Sequence, residues 1–251
     1  MRLHLTPTPA LGGPKSYWQL SRAHRYSLLF ALPLLLIYEL LEAVSPVRTH
    51  GGTIRNGADV VLTGLFTSLF GLRGPLVFMA LVIGVSVWLI RRDRSTGPLR
   101  TSVFATMFAE SLALSLVVGV VVGTATVQLV GPLRTLAAGG GLSGTPIDRL
   151  TLSLGAGLYE ELLFRVVLVA LLSNGFRMLG ASRLVGGAFA TLIGALLFSA
   201  FHYIGAFGEP LQLQSFVFRA LAGLMFSALY LLRGFGITAW AHALYDIAVL
   251  L

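Results

Sequence analysis

The sequence predicts an all-α fold, a polytopic transmembrane helical bundle of about seven to eight spans. Hydrophobic residues make up 56% of the 251 residues and charged residues only 11%, whereas an ordinary soluble domain has about 25% charged residues. The apolar residues also lie in long runs, and a helix of about 20 apolar residues can cross a bilayer. A soluble domain could not bury this much apolar surface, so the chain is expected to be an integral, multi-pass membrane protein.

Seven apolar segments approach the length of a spanning helix. They cover residues 26–44, 75–90, 102–130, 147–173, 184–203, 211–232 and 236–251. An eighth segment, residues 56–72, is shorter and carries Asp59. It is interpreted as an interfacial or half-buried helix, with a full span as the alternative. The glycine-rich stretch 139–144 is predicted to be a loop.

The chain is strongly basic, with a net charge of +8. Such a charge can indicate nucleic-acid binding, but here the positive residues lie at the ends of apolar runs, where membrane topology places them. The expected partner is therefore the lipid bilayer and not nucleic acid. In a seven-span arrangement the distribution of arginines and lysines favours a cytoplasmic N-terminus, and a full span at residues 56–72 would reverse the later segments. The chain has no cysteine, which excludes disulfides, thiolate metal ligands and a cysteine nucleophile.

Two adjacent glutamates lie near the middle of the fourth segment, where an unpaired charge costs several kcal/mol. Glu161 and Arg165 are four residues apart, so on an α-helix they share a face and can pair. Glu160 would lie about 100° away around that helix and would stay free to act as a general base. The alternative is a buried salt bridge that only fixes helix packing.

Two histidines lie in later segments. His202 stands near the end of the fifth segment, where a lone histidine could also be an interfacial residue. His242 and Asp246 are four residues apart in the last segment. The carboxylate can accept a hydrogen bond from the imidazole and fix its tautomer, or it can share a bound water or metal ion. The alternative is a buried pair that stabilises packing.

The combination of these residues predicts more than its parts. Carboxylates and imidazoles on three segments could meet in a dry site. Together these groups can activate a water molecule as a nucleophile. The imidazoles could bind a metal ion or donate to a developing oxyanion. The candidate catalytic residues are Glu160, Glu161, Arg165, His202, His242 and Asp246.

Other residues are assigned to substrate binding or to packing. Arg219, inside the sixth segment, is a candidate for binding a substrate carboxylate, with the membrane interface or a pair with Glu209 as alternatives. Glu39, Glu42 and Glu110 are interpreted as helix-packing or interfacial residues. Six glycines are expected to let the helices of the site approach closely: Gly155, Gly157, Gly186, Gly187, Gly194 and Gly223.

These motifs resemble those of a known family. The pattern Glu160-Glu161-x-x-x-Arg165, then Phe198-x-x-x-His202, then His242-x-x-x-Asp246 is similar to the three motifs of the CPBP family. That family includes the CAAX prenyl endopeptidases of the Rce1 type and the bacterial Abi proteins. The blocks at residues 157–165 and 223–242 are also similar, and the resemblance covers roughly residues 150–251.

The resemblance implies an intramembrane endopeptidase that hydrolyses a peptide bond in a membrane-anchored or hydrophobic polypeptide. In this family the first motif glutamate is taken as the base that activates water, a role that falls on Glu160. The motif histidines, here His202 and His242, would orient water or stabilise the oxyanion. The last motif residue is usually Asn, but here it is Asp246, and an ionised carboxylate cannot donate to an oxyanion. Asp246 would therefore fit better as an acceptor that orients His242, or as a metal ligand.

The resemblance leaves the metal question open. The family is often called a metalloprotease family, and Glu160, His202, His242 and Asp246 could bind zinc. The sequence has no His-Glu-x-x-His motif, and family members are also described as metal-independent glutamate proteases. The expectation leans slightly towards no tightly bound catalytic metal, with zinc as the alternative.

The predicted organisation has three parts: a basic N-terminal segment 1–25, N-terminal transmembrane helices 26–145 without a clear motif, and a catalytic helical core 146–251. The expected location is a bacterial inner membrane. A proton-coupled transporter would also place ionisable residues in the membrane, but no inverted repeat is visible in the sequence. A non-catalytic scaffold or bacteriocin-immunity protein is the other alternative, although it would be expected to lose the motif residues.

Overall fold

The computed structural model describes residues 16–44, 48–49, 52–53, 55–93, 97–131, 145–205 and 208–250. The first fifteen residues of the basic N-terminal segment and the predicted loop at 139–144 lie outside these ranges. The α-helices are α1 Tyr17–Arg22, α2 His24–Val44, α3 Gly57–Phe70, α4 Gly74–Arg92, α5 Thr101–Val130, α6 Pro146–Gly155, α7 Val169–Met178, α8 Arg183–Phe201, α9 Leu213–Arg233 and α10 Phe235–Leu250. Two short strands, β1 Arg48–Thr49 and β2 Gly52–Thr53, pair antiparallel.

The described residues form an all-α membrane bundle, as the apolar runs predict. Five helical stretches are long and apolar enough to cross a membrane, and they comprise α2, α3 with α4, α5, α8 and α9. The apolar helix α10 is shorter, at 16 residues. The protein is therefore an integral, multi-pass membrane protein.

The short helix predicted for residues 56–72 is α3, which has 14 residues. At 1.5 Å per residue it is about 21 Å long, less than the roughly 30 Å of a hydrocarbon core. A 3₁₀ turn at Gly71–Arg73 connects it to α4, and the Phe66 and Phe78 rings of the two helices lie 5.3 Å apart. This contact shows that the chain folds back, so that α3 and α4 pack against each other.

The fourth predicted segment is continuous, but its middle is not α-helical. Thr145 caps α6 with its side chain and forms a capping box with Asp148. From Ala156 to Leu168 the helix is a π-helix, and it returns to α-helix in α7. The α-helical geometry assumed for Glu160 and Glu161 is therefore wrong in detail, because a π-helix bonds residues five apart and widens the turn. Such stretches often occur at functional sites.

Helix α10 lies in the centre of the bundle, where it packs against α2, α5, α6, the π-helix and α9. Small side chains make this possible, since Ala239, Ala241 and Ala243 are fully buried. A Cβ atom on Gly157 of the π-helix would lie 2.4 Å from the carbonyl oxygen of Ala239. Only glycine therefore allows the π-helix to approach α10 this closely.

The other predicted glycines differ in their surroundings. Gly155 lies against the ring of Tyr38, and Gly194 and Gly223 also leave little room for a Cβ atom. Gly187 has no atom within 4 Å of that position. The expectation of close approach is thus wrong for Gly187, which lies on an open face of α8.

Glu110 joins three helices, which agrees with its assignment to packing. Its carboxylate accepts hydrogen bonds from Nε and Nη2 of Arg233 at 2.5 and 2.7 Å. The same Nη2 donates to Ser21 at 2.8 Å, and the guanidinium lies 3.7 Å above the ring of Trp18. The hydroxyl of Tyr17 also donates to Glu110. These contacts fix α1 against α5 and α9.

Candidate active site

A cavity of about 380 Å³ opens between the π-helix, α8, α9 and α10. Four of the six candidate catalytic residues line it, together with Arg219. These four are Glu160, His202, His242 and Asp246. The remaining two, Glu161 and Arg165, are buried behind them with 0% and 2% of their surface exposed.

The carboxylate of Glu160 has two oxygens in different environments. Oε1 accepts a hydrogen bond from Nδ2 of Asn56 at 2.9 Å. Oε2 makes no hydrogen bond to any described residue and lies 4.0 Å from Nε2 of His242. Because only one oxygen is engaged, the other has an unused acceptor position beside His242.

His242 is held from behind by Glu161. Its Nδ1 lies 2.7 Å from Oε1 of Glu161, and its ring stacks on Phe226 with centroids 4.3 Å apart and an interplanar angle of 19°. With Nδ1 donating to a carboxylate, Nε2 is the ring atom that faces Glu160 and Asp246. The ring is thus fixed in position on two sides.

Arg165 pairs with Glu161 as the spacing predicts. Nη1 lies 3.2 Å from Oε1 of Glu161, and Nη2 donates to the carbonyl of Gly223 at 3.3 Å. The guanidinium also lies 4.4 Å above the ring of Phe198. Arg165 therefore balances the charge of the carboxylate that orients His242, since a buried carboxylate without a partner is costly.

Asp246 does not orient His242 by a hydrogen bond. Its Oδ2 lies 3.7 Å from Nε2 of His242, beyond hydrogen-bond distance. The sequence predicted that Asp246 either orients His242 or shares a water or metal ion with it. In the structure the carboxylate of Glu161, and not that of Asp246, is at hydrogen-bond distance from His242. Four-residue spacing places Asp246 on the correct face of α10, but Glu161 approaches the opposite ring nitrogen from another helix.

His202 caps the C-terminal end of α8 and presents one free ring nitrogen. Its Nδ1 lies 2.9 Å from the carbonyl oxygen of Phe198, and its ring contacts the ring of Phe198 edge-on at 5.0 Å. Since a carbonyl can only accept, Nδ1 donates there and Nε2 is left for the cavity. This residue is part of the site and not an isolated interfacial histidine.

Arg219 lines the cavity and is also paired. Its Nη2 lies 2.7 Å from Oε1 of Glu209, its Nη1 donates to Ser215 at 2.9 Å, and its guanidinium lies 5.3 Å above the ring of Tyr203. The two interpretations of Arg219 are thus compatible, because the pair with Glu209 forms at the wall of the cavity.

The donors proposed for zinc are not arranged as a closed ligand set. Within the described ranges, no group of three or more His, Asp or Glu side chains is placed to hold a metal ion. One side chain is also already engaged, since Asn56 occupies Oε1 of Glu160. The described residues therefore do not form a preassembled zinc site, and the absence of a catalytic metal stays a prediction.

Sequence reasoning missed Asn56. It precedes α3 and its side-chain oxygen accepts from the backbone N–H of Ala58 at 2.8 Å, which is the ordinary role of Asn before an apolar helix. That signal was available in the sequence. The hydrogen bond between Asn56 and Glu160 could not be predicted from the sequence, because the two residues are 104 positions apart and no local pattern connects them.

A second buried network lies behind Asn56. The hydroxyl of Tyr38 donates to Asp59 at 2.8 Å and accepts from the backbone N–H of Asn56 at 3.2 Å. Arg55 lies 3.0 Å from Asp59 and 3.3 Å from Glu39. Burial alone would lower the pKa of Arg55, but Asp59 and the neighbouring glutamates raise it above its usual value, so this arginine stays charged.

Comparison with known proteins assigns the C-terminal part of the chain. Among curated proteins and among solved structures, nothing matches the chain significantly. Residues 143–248 match the family model described as type II CAAX prenyl endopeptidase Rce1-like. This segment carries every candidate catalytic residue, and the match supports a membrane endopeptidase of the CAAX type. Residues 143–248, which make up less than half of the chain, are therefore similar to the Rce1-like type II CAAX prenyl endopeptidases, in agreement with the resemblance of the motifs.

Proposed function

We propose that the protein is an intramembrane endopeptidase in which Glu160 activates water and His202 and His242 assist. One observation carries the proposal: Glu160, His202 and His242, from three separate helices, line the same cavity. Each imidazole has its Nδ1 engaged elsewhere, by Phe198 and by Glu161. Both Nε2 atoms can therefore interact with water or substrate. They lie in the same site as the Glu160 carboxylate, one oxygen of which makes no hydrogen bond to a described residue.

The proposed reaction is hydrolysis of a peptide bond. Oε2 of Glu160 takes a proton from water while the water oxygen attacks the carbonyl carbon, which gives a tetrahedral oxyanion. The C–N bond then breaks, and the proton held by Glu160 passes to the leaving nitrogen. The products are a carboxylic acid and an amine, and Glu160 returns to its ionised form. The acid then gives its remaining proton to the amine, which leaves a carboxylate and an ammonium group.

The imidazoles are placed to stabilise the charge that develops. His242 is surrounded by three carboxylates, with Glu161 at Nδ1 and Glu160 and Asp246 near Nε2. An imidazolium in this position can donate from Nε2 to the oxyanion, and a preoriented donor in a dry site is worth far more than one in water. Asp246 cannot take that role while ionised.

The proposed substrate is a membrane-anchored or hydrophobic polypeptide, and the proposed location is a bacterial inner membrane. The cavity lies among apolar helices and has an apolar wall formed by residues such as Phe218, Ala222 and Phe226. Such a wall suits an apolar peptide segment, and Arg219 suits a carboxylate near its end.

The test compares membranes from host cells that carry the wild-type protein or Glu160→Gln. Peptides released from membrane proteins are identified by their C-termini, and intact precursors are expected to accumulate in the variant. Glu42→Gln, the same change outside the cavity, serves as the control and should leave the peptide profile as in the wild type. An unchanged profile for an inserted Glu160→Gln protein would overturn the proposal and favour a scaffold or a transporter.

A further inference from the structure

One of the described cavity-lining residues lies before the family-matched segment in the chain. Asn56 lies at the start of α3, is 6% exposed and lines the cavity. It is far in sequence from residues 143–248. Its amide nitrogen nevertheless makes the one hydrogen bond that the side chain of Glu160 forms among the described residues.

The structure determines which end of the Asn56 amide faces Glu160. Oδ1 accepts from the backbone N–H of Ala58 at 2.8 Å, so the nitrogen must point the other way. The backbone N–H of Asn56 donates to Tyr38, whose own hydroxyl is held by the buried carboxylate of Asp59. The amide is therefore a preoriented donor with little freedom to rotate.

The position of this donor determines which oxygen of Glu160 can react. With Oε1 bonded to Asn56, the carboxylate plane is fixed and Oε2 is directed towards His242. A hydrogen bond from a neutral donor also stabilises the ionised carboxylate, which is the form that can accept a proton. A freely rotating carboxylate would have neither property.

We infer that Asn56 is a positioning residue that holds Glu160 ionised and oriented towards His242, so that the site is complete only with the start of α3, which lies outside the family-matched segment. This inference rests on the proposed function. It assigns to Asn56 a role separate from capping α3, and the two roles need different atoms. The cap needs the side-chain oxygen, whereas the positioning role needs the amide N–H.

This difference in atoms defines the variants. Serine and aspartate cap helices about as well as asparagine does, so both variants keep the cap. Asn56→Asp has no donor while ionised, and Asn56→Ser replaces the amide N–H with a hydroxyl on a shorter side chain. Asn56→Ala loses both the cap and the donor. Ser182→Ala is the matched control, because Ser182 caps α8 by accepting from Val185 at 3.3 Å and does not line the cavity.

The experiment uses the full chain in proteoliposomes, with the precursor purified from Glu160→Gln membranes as the probe. We expect kcat to fall about 10- to 100-fold in Asn56→Ser, the effect of losing one hydrogen bond to a charged group, and at least as much in Asn56→Asp. KM should stay within about threefold of wild type, since Asn56 acts through Glu160. The Tm of Asn56→Ser should stay close to that of the wild type.

The possible outcomes separate the inference from the proposed function. If Glu160→Gln is inactive but Asn56→Ser and Asn56→Asp turn over like the wild type, the positioning role is wrong and the proposed function stands. A loss of activity that only follows the loss of Tm, as in Ser182→Ala, would leave Asn56 a cap and also overturn the inference. If Glu160→Gln cleaves normally, the proposed function fails and the inference fails with it.

Discussion

Nδ1 of His242 lies 2.7 Å from Oε1 of Glu161, although 81 residues separate them. Glu161 also pairs with Arg165 at 3.2 Å, and it is fully buried. The second glutamate of the motif therefore connects a structural charge pair to a residue of the cavity. Its two partners can be separated by experiment.

Glu161→Gln should be both less stable and less active. The change leaves Arg165, which is 2% exposed, as a buried charge without its partner, at a cost of about 3–5 kcal/mol. It also removes the carboxylate that orients His242, and kcat should fall about 10- to 100-fold, as for other orienting partners. Thermal unfolding and turnover of the purified precursor measure the two effects.

The double variant Glu161→Gln with Arg165→Met serves as the control for this prediction. Removing both charges should recover much of the lost stability, while kcat stays low because His242 still lacks its carboxylate. Recovery of kcat together with stability would show that Glu161 acts only through folding.

Asp246→Asn should have a small effect on turnover. Asp246 lies 3.7 Å from His242 and does not hold the ring, so removing its charge while keeping its shape should change kcat by less than about fivefold, the range of a weak ion pair. Kinetics beside Glu161→Gln provide the comparison. A loss as large as that of Glu161→Gln would return the orienting role to Asp246.

Arg219→Gln should weaken substrate binding more than turnover. If its guanidinium meets a substrate carboxylate, KM should rise about tenfold, as expected for one charge-assisted hydrogen bond, with kcat nearly unchanged. The rise should disappear when the C-terminal carboxylate of the peptide is amidated. Ser215→Ala, which removes a neutral partner of Arg219 at 2.9 Å, is the control, and an equal KM effect on the amidated peptide would contradict the prediction.

Gly157→Ala should destabilise the bundle by about 1–3 kcal/mol, the usual cost of overpacking. The added methyl would lie 2.4 Å from the carbonyl of Ala239 and 2.7 Å from Cβ of Ala243. Gly187→Ala is the matched change on α8, where nothing lies within 4 Å, and it should be neutral or stabilising because alanine favours a helix. Thermal unfolding of both variants in the same detergent tests the difference, and equal Tm values would contradict it.

Local patterns predicted the helices and most of the site. Apolar runs gave the membrane class and the helices, because burial in lipid demands them whatever the tertiary structure. Four-residue spacing correctly predicted that Glu161 and Arg165 pair, and the pairing survives even though the helix there is π-helical. No local pattern in residues 156–168 predicted the π-helix, which packs against α10 in the structure.

Contacts between distant elements were the part that could not be predicted. Which carboxylate orients His242 depends on how closely the π-helix and α10 approach each other. Gly157 permits the close approach, but the sequence alone does not show that these two helices are in contact. The hydrogen bond from Asn56 to Glu160 is similar, because it depends on how α3 packs against the π-helix. The division of the chain between residues 145 and 146 stays a prediction. The hydrogen bond from Asn56 to Glu160 joins the two predicted parts.

The central position of α10 also affects how the protein is made. Every helix that α10 contacts precedes it in the chain, so in vectorial synthesis those helices enter the membrane before the element that fills the space between them. His242 arrives with α10, and Glu161 finds its imidazole partner only then. A nascent chain that has not yet inserted α10 would therefore lack one imidazole of the proposed site, so the site could form only after α10 has entered the membrane.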